Sequence, residues 1–156
     1  MNERASDIAI VTGAGSPEGI GMASALLLGR AGMRVVITST TDRIHERVAE
    51  LRAAGVEAHG VVADLTAAEG VDAVIDAAVD AFGTPTVLVN NAGMTSMSRP
   101  DSPASIDEIS LEQWSASIDR NLTTALRMTR AVVPGMREGG YGRIVNVASL
   151  SGPVMA

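Results

Sequence analysis

The sequence of 156 residues contains neither cysteine nor lysine. The lack of cysteine excludes a disulfide framework and thiolate metal sites, and neither histidine has a carboxylate at ligand spacing, so we expect no metal. All twelve basic residues are arginine, they form no stripe, and the formal net charge is −6. We therefore expect no nucleic acid among the partners, because nucleic-acid binding depends on clustered basic side chains.

Long apolar runs are also lacking. The longest, Met22–Leu28, is far too short to span a membrane. The first residues, Met1–Asp7, lack the basic-then-apolar order of a signal peptide. We expect a cytoplasmic protein that does not associate with a membrane.

Aromatic residues make up only 2% of the chain, whereas 46% of its residues are hydrophobic. The core must therefore be aliphatic, which is typical of parallel sheets covered by helices on both faces. A chain of this length has apolar side chains for one core and hardly for two. We expect a single domain over residues 1–156.

Short apolar, β-branched segments alternate with helical patterns along the chain. This alternation predicts an α/β fold with a parallel sheet. The predicted strands, all expected to be buried, are Ile8–Val11, Val35–Thr38, Val61–Val62, Val87–Val89 and Ile144–Val147.

The longest helical pattern follows the fourth strand. Its apolar residues recur at helical spacing, which predicts one helix with an apolar face. Asn121 lies on this helix, and its spacing from Ile118 and Ala125 predicts that its amide points toward the core. The apolar residues of this face are Leu111, Trp114, Ile118, Leu122, Leu126 and Val133.

A glycine-rich segment lies between the first strand and the first helix. It reads Thr12-Gly-Ala-Gly-Ser-Pro-Glu-Gly-Ile-Gly21, and such a turn lets backbone N–H groups approach a pyrophosphate at the positive end of a helix. An ordinary strand-to-helix turn is the alternative. For cofactor binding we expect a tight turn at Gly13, phosphate approach at Gly19 and close helix packing at Gly21, with Ser16 and Ile20 beside them.

Further motifs follow along the chain: Asp64 after the third strand, Asn90-Asn91-Ala92-Gly93 after the fourth, Asn121 on the long helix and Ser149 after the fifth strand. With the glycine loop, this series resembles the short-chain dehydrogenase/reductase family, and within it the 3-oxoacyl-carrier-protein reductases. The resemblance implies a Rossmann-type doubly wound sheet. It covers essentially the whole chain but only the amino-terminal part of the family domain, so the sheet is expected to be truncated after its fifth strand.

The resemblance also implies roles for these residues. Asp64 would contact the adenine and Leu65 would also belong to the cofactor site, while Asn91, Ala92 and Gly93 would lie beside the nicotinamide. Asn121 would hold a water of a proton relay, and Ser149 would orient a substrate carbonyl, with Ser151 as the alternative serine. The residue types alone also allow a helix cap at Asp64, an ordinary turn at the Asn-Gly segment and a packing amide at Asn121.

The cofactor choice depends on the end of the second strand. Ser39 takes the place of the acidic residue that would favour NAD, and Arg43 with nearby hydroxyls can hold a 2′-phosphate, which favours NADP. Glu18 argues for NAD, and the alternative reading makes Asp42 a helix cap and Arg43 a solvated residue. The spacing of the glycine loop departs from the family as well, since five residues separate Gly13 from Gly19.

The family's catalytic tyrosine and the lysine four positions later cannot be assigned. Tyr141 precedes the fifth strand, and Val145 stands four positions after it.

We expect an oxidoreductase that transfers a hydride to a carbonyl or from an alcohol. Without the tyrosine and the lysine, we expect this chain alone to be nearly inert. The alternatives are a non-catalytic dinucleotide-binding or interaction protein and a chain completed by a second polypeptide. A homo-oligomer that uses the long helix is a further implication of the resemblance.

Overall fold

The computed structural model describes residues 7–93 and 107–148. These residues form one sheet of five parallel strands in the order β3-β2-β1-β4-β5. All five predicted strands are present, so the predicted α/β class with a parallel sheet is confirmed. The strands are β1 (Ile8–Thr12), β2 (Arg34–Ser39), β3 (Ala58–Val62), β4 (Val87–Asn90) and β5 (Arg143–Asn146).

The two outer strands differ from the prediction. β3 begins at Ala58 rather than Val61, because His59 and Gly60 pair with β2 although neither is apolar. The expected burial of both strands is wrong: in β3 Val61 is half-buried and Val62 is exposed, and in β5 only Ile144 is partly shielded. Within the described residues β5 pairs with β4 alone, so it forms an edge of the sheet.

Helices cover both faces of the sheet, and each face has its own aliphatic cluster. The first cluster packs β1 and β2 against α1 and α2, and the second packs β1 and β4 against α3 and α5. The doubly wound arrangement is therefore confirmed. The helices are α1 (Ile20–Arg30), α2 (Ile44–Ala53), α3 (Ala68–Ala81), α4 (Leu111–Ile118) and α5 (Thr124–Glu138).

The segment predicted as one long helix is interrupted. A π-helical turn, Asp119–Thr123, separates α4 from α5. Most of the apolar face predicted here lies outward, with Leu111, Trp114, Leu122 and Leu126 each more than half exposed. The core-facing side of α5 consists instead of Thr124, Met128, Val132 and Met136.

The strand order reverses beside β1, which has β2 on one side and β4 on the other. Val11 of β1 pairs with Val89 of β4, so the carboxyl ends of these two strands lie side by side. Ligands of open α/β sheets bind at such a reversal. No helix of the described residues is long and apolar enough to cross a membrane.

Candidate functional site

The glycine loop packs directly on the segment that follows β4. Gly13 has a φ of +71°, and a β-carbon on it would lie 2.7 Å from the α-carbon of Ala92. Both the backbone angle and the contact require glycine here. The N–H of Ala14 donates to the carbonyl of Thr38 at 2.9 Å, which ties the loop to β2 as well. The loop is therefore fixed between the ends of three neighbouring strands.

α1 begins at this loop with an uncovered amino-terminal end. Its N-cap is Gly19, which offers no side chain, and no acidic residue lies in the first turn. The first N–H groups of a helix have no partner inside the helix and carry its positive end. Ile20 is 61% exposed, whereas Gly21 is buried, and a β-carbon there would lie 2.6 Å from the carbonyl oxygen of Gly13. The backbone carbonyl oxygen of Ser16 accepts a hydrogen bond from the N–H of Gly19 at 3.2 Å and so closes the turn. The residue itself is exposed.

Thr12 joins the glycine loop to the end of β4, a role that the sequence reasoning missed. Its hydroxyl oxygen Oγ1 accepts from the backbone N–H groups of Asn91 at 3.0 Å and Ala92 at 2.9 Å, and donates to the carbonyl of Val89 at 3.3 Å. The side chain is 1% exposed. A hydroxyl residue directly before the first glycine was the available signal, because only a small donor and acceptor fits between two parallel strand ends.

Asn91 completes the connection between the two strand ends. Its Nδ2 donates to the carbonyl oxygens of Thr12 and Gly13, each at 3.0 Å. Asn90, just before it, is 5% exposed and donates through Nδ2 to Oδ1 of Asn146 at 2.9 Å and to Oγ1 of Thr129 at 3.2 Å. The two amides therefore hold β1, β4, β5 and α5 together at one edge.

Asn121 lies in the π turn, and its predicted orientation toward the core is wrong. The residue is exposed, and its Nδ2 donates to the carbonyl of Ser117 at 2.9 Å. Its Oδ1 would lie 2.7 Å from a β-carbon on Gly93. The extra residue of a π turn changes the direction in which the side chains of the helix point. Asn121 therefore lies beside Gly93 at the end of β4 and does not point into the core.

Asp64 follows β3 and organises a tight turn. Its Oδ1 accepts from the N–H of Thr66 at 2.9 Å and from the hydroxyl of Thr66 at 2.6 Å. These two bonds, the hydroxyl bond first, lower the pKa of Asp64, and the nearby positive charge of Arg127 contributes to the same effect. The helix-cap alternative is wrong, because α3 starts at Ala68 after Ala67 with no side-chain cap. Leu65 is buried, so its side chain belongs to the core.

The end of β2 presents hydroxyl groups beside the glycine loop. The hydroxyl of Ser39 donates to the carbonyl of Thr41 at 2.8 Å, and Nε of Arg43 donates to Oγ1 of Thr41 at 3.4 Å. A β-carbon on Gly15 would lie 2.9 Å from Cβ of Ser39. Asp42 is not a side-chain cap, because α2 has Arg43 at its N-cap with no capping bond.

The serine and tyrosine residues considered for catalysis are not found beside the glycine loop in the described residues. Ser149 and its alternative Ser151 fall outside the described residues. Tyr141 precedes the first residue of β5, at the opposite edge of the sheet from the glycine loop, where the guanidinium carbon of Arg143 lies 4.7 Å from the centre of its ring. Among residues 7–93 and 107–148 no group of three His, Cys, Asp or Glu side chains is placed to hold a metal ion.

The groups at the carboxyl edge form a continuous series. From β3 to β4 they are a carboxylate at Asp64, hydroxyls and a guanidinium after β2, the positive end of α1, and the backbone and amides of the Asn-Gly segment. Such a series suits an elongated ligand whose middle is anionic.

Comparisons with known proteins agree with this architecture. The 3-oxoacyl-[acyl-carrier-protein] reductase of Pseudomonas aeruginosa is 38% identical over 146 residues, which are 93% of this chain and 56% of that protein. The enzyme of the same name from Synechocystis is 38% identical over 154 residues, or 97% of this chain and 59% of that protein.

A crystal structure of a variant of actinorhodin polyketide ketoreductase with NADPH superposes with a TM-score of 0.87 at 37% identity, covering all of this chain and 58% of that one. The chain thus spans just over half the length of the relatives that it matches. The short chain dehydrogenase profile matches residues 7–156. The chain belongs to the short-chain dehydrogenase family.

Proposed function

We propose that this chain forms the dinucleotide-binding part of an NADPH-dependent oxidoreductase that interconverts a carbonyl and an alcohol. The observation that carries the proposal is the close backbone packing at the strand reversal. A β-carbon at Gly13 or Gly21 would collide with backbone atoms, and the amino-terminal end of α1 next to them has no side-chain cap. An anionic group fits there without displacing any side chain.

The residues at the edge fit such a cofactor from end to end. The N–H groups of Ile20 and Gly21, with Ser16 and Gly19 nearby, would hold the pyrophosphate at the positive end of α1. Asp64 would accept from the adenine amine through Oδ2, because its bonds to Thr66 both end on Oδ1, and the backbone of Leu65 would lie beside it. Asn91, Ala92 and Gly93 would adjoin the nicotinamide, which supplies or accepts a hydride when bound.

Arg43 supports NADP rather than NAD. Its guanidinium carries a positive charge beside the hydroxyls of Ser39 and Thr41, and this combination suits a 2′-phosphate. No acidic residue follows β2 directly, and NADPH is the cofactor named for the ketoreductase structure that this chain resembles. Glu18, an exposed residue of the glycine loop, is the feature that argues for NAD.

The chain supplies part of the chemistry beside the nicotinamide. Asn121, next to Gly93, would hold a water for proton transfer, and Ser149 would orient the substrate carbonyl. The family's tyrosine has no counterpart in a suitable position, and the sequence has no lysine. A positioned proton donor contributes about 10²–10⁴-fold in rate, so these 156 residues alone would be nearly inert.

The outward face of α4 and α5 would be covered in the native assembly. Leu111 is 82% exposed, Leu122 62% and Trp114 53%, and contiguous exposed apolar side chains usually mark contact surfaces. A second copy of the protein, in a homo-oligomer, is the proposed partner. This exposed face also favours the second candidate function, in which the chain binds a dinucleotide and a complementing protein without catalysis of its own.

The cofactor proposal is tested by titrating the intact native polypeptide with NADPH and NADH. We expect Arg43→Met to weaken NADPH binding about tenfold, the loss of one charge-assisted contact, with little change for NADH. Arg137→Met is the matched control, because Arg137 is an exposed arginine near the far end of α5, and it should alter neither affinity. Lack of dinucleotide binding by the unmodified protein would contradict the proposed function.

A further inference from the structure

Arg127 lies in the first turn of α5 and reaches the turn after β3. The residue is half-buried, and its Nη1 donates to the carbonyl oxygen of Thr66. We propose that Arg127 is a positioning residue for the adenosine half of the cofactor site: by holding the Asp64–Thr66 turn, it keeps the Asp64 carboxylate in place for the adenine. This inference rests on the proposed dinucleotide-binding function.

The Asp64–Thr66 turn packs against the core on one side and is exposed to solvent at Asp64 on the other. Leu65 anchors it to the second core cluster, which also contains Met128, the neighbour of Arg127. A β-carbon on Gly70 would collide with the carbonyl oxygen of Asp64, so the first turn of α3 packs closely against the Asp64–Thr66 segment. Asp64 itself is exposed, and its carboxylate is held by the N–H and the hydroxyl of Thr66. The bond from Arg127 therefore acts at the point where the turn meets solvent.

Arg127 affects Asp64 in two ways. It fixes the backbone of Thr66, whose N–H and hydroxyl in turn hold Oδ1 of Asp64. Its positive charge also stabilises the ionised carboxylate, as its contribution to the lowered pKa of Asp64 indicates. An ionised, oriented carboxylate is the form that accepts a hydrogen bond from an exocyclic amine. Removing Arg127 would therefore weaken recognition of adenine in particular.

The π turn just before α5 carries the reacting end of the site. Asn121 lies in this turn, beside Gly93, and Arg127 lies less than two turns further along, in α5. The π turn thus adjoins the nicotinamide side through Asn121, and α5 adjoins the adenine side through Arg127. A purely structural arginine would affect both sides when removed, whereas a positioning residue for the turn would affect only the adenine side.

The test compares three ligands on the intact native polypeptide: NADPH, adenosine 2′,5′-bisphosphate and reduced nicotinamide mononucleotide, which lacks the adenosine half. We expect Arg127→Met to weaken binding of the first two about tenfold, as loss of a hydrogen bond from a charged donor predicts, and to leave the mononucleotide unchanged. Arg127→Lys, which keeps the charge, should have a smaller effect. Arg130→Met, three residues further along α5 and exposed, is the control and should bind all three normally.

The outcomes separate the inference from the proposed function. Unchanged binding of adenosine 2′,5′-bisphosphate by Arg127→Met would overturn the role of Arg127 while leaving the dinucleotide site intact. Equal weakening of all three ligands would also overturn it, since that result indicates a general structural role. If the unmodified protein bound none of them, the proposed function itself would fail, and this inference with it.

Discussion

Single polar side chains at strand ends determine the shape of this site. Thr12 satisfies two backbone N–H groups with one hydroxyl oxygen, and Asp64 satisfies both donors of Thr66 with one carboxylate oxygen. Their places, Thr12 at the end of β1 and Asp64 after β3, could be predicted, because the carboxyl ends of parallel strands share one edge. Their partners could not be predicted, since each hydrogen bond depends on ångström-scale placement of a neighbouring turn.

Thr12→Val tests the connection between β1 and β4. The substitution keeps the side-chain shape but removes the acceptor of two N–H groups, so we expect unfolding free energy to fall by about 2–4 kcal/mol. Thr12→Ser keeps the hydroxyl and loses one buried methyl group, at a cost of about 1 kcal/mol. Urea unfolding of both variants provides the comparison, and equal stability of the two would refute the role of the hydroxyl.

Thr66→Val tests the pH behaviour of Asp64. The pKa of this carboxyl lies below its ordinary value of 3.8, chiefly because of the Thr66 hydroxyl, so the variant should raise that pKa toward the ordinary value. Because the folded-state pKa is the lower one, the associated stability is present above pH 3.8 and is lost as pH falls through the folded pKa. NMR titration of the Asp64 carboxyl carbon measures the change, with Thr66→Ser as the control. Identical titration in all three proteins would exclude the hydroxyl as the cause.

Among the elements, the segment from α4 to α5 departs most from the sequence prediction. Hydrophobic periodicity identified which residues share a face, and Leu111, Trp114 and Ile118 do so. It could not identify what that face contacts, because the same periodicity serves a helix that packs on the sheet and a helix that packs on another chain. The π turn at Asp119–Thr123 gave no signal in the pattern either, and for that reason the orientation of Asn121 was predicted wrongly.

The close packing at the start of α1 allows a prediction about the position of the whole helix. In Gly21→Ala, the β-carbon would lie 2.6 Å from the Gly13 carbonyl oxygen and 2.7 Å from Nδ2 of Asn91. The helix must then move away from the loop, at a cost of about 1–3 kcal/mol in unfolding free energy. A β-carbon on Gly139 meets nothing closer than 3.4 Å, so Gly139→Ala should change stability by less than about 0.5 kcal/mol. Equal effects of the two substitutions would contradict the close packing of α1.

At the scale of the whole molecule, the alternation of strands and helices predicted the parallel sheet, and the resemblance to the family predicted its doubly wound arrangement. The strand order β3-β2-β1-β4-β5 then brings residues far apart in the sequence to one edge. The edge strands were the least predictable, since β3 contains His59 and Gly60 and β5 is mostly exposed. Their short apolar segments predicted that strands exist, but each strand extends by backbone pairing over polar or glycine residues, and the pattern did not show that their apolar side chains are largely exposed.

The central claim is that a dinucleotide binds across the carboxyl edge at the junction of β1 and β4. A crystal structure of the intact native polypeptide grown with NADPH tests it most directly. The account predicts the pyrophosphate at the N–H groups of Ile20 and Gly21, the adenine beside Asp64 and the nicotinamide beside Gly93. A nucleotide bound elsewhere, or an empty edge at saturating NADPH, would contradict it.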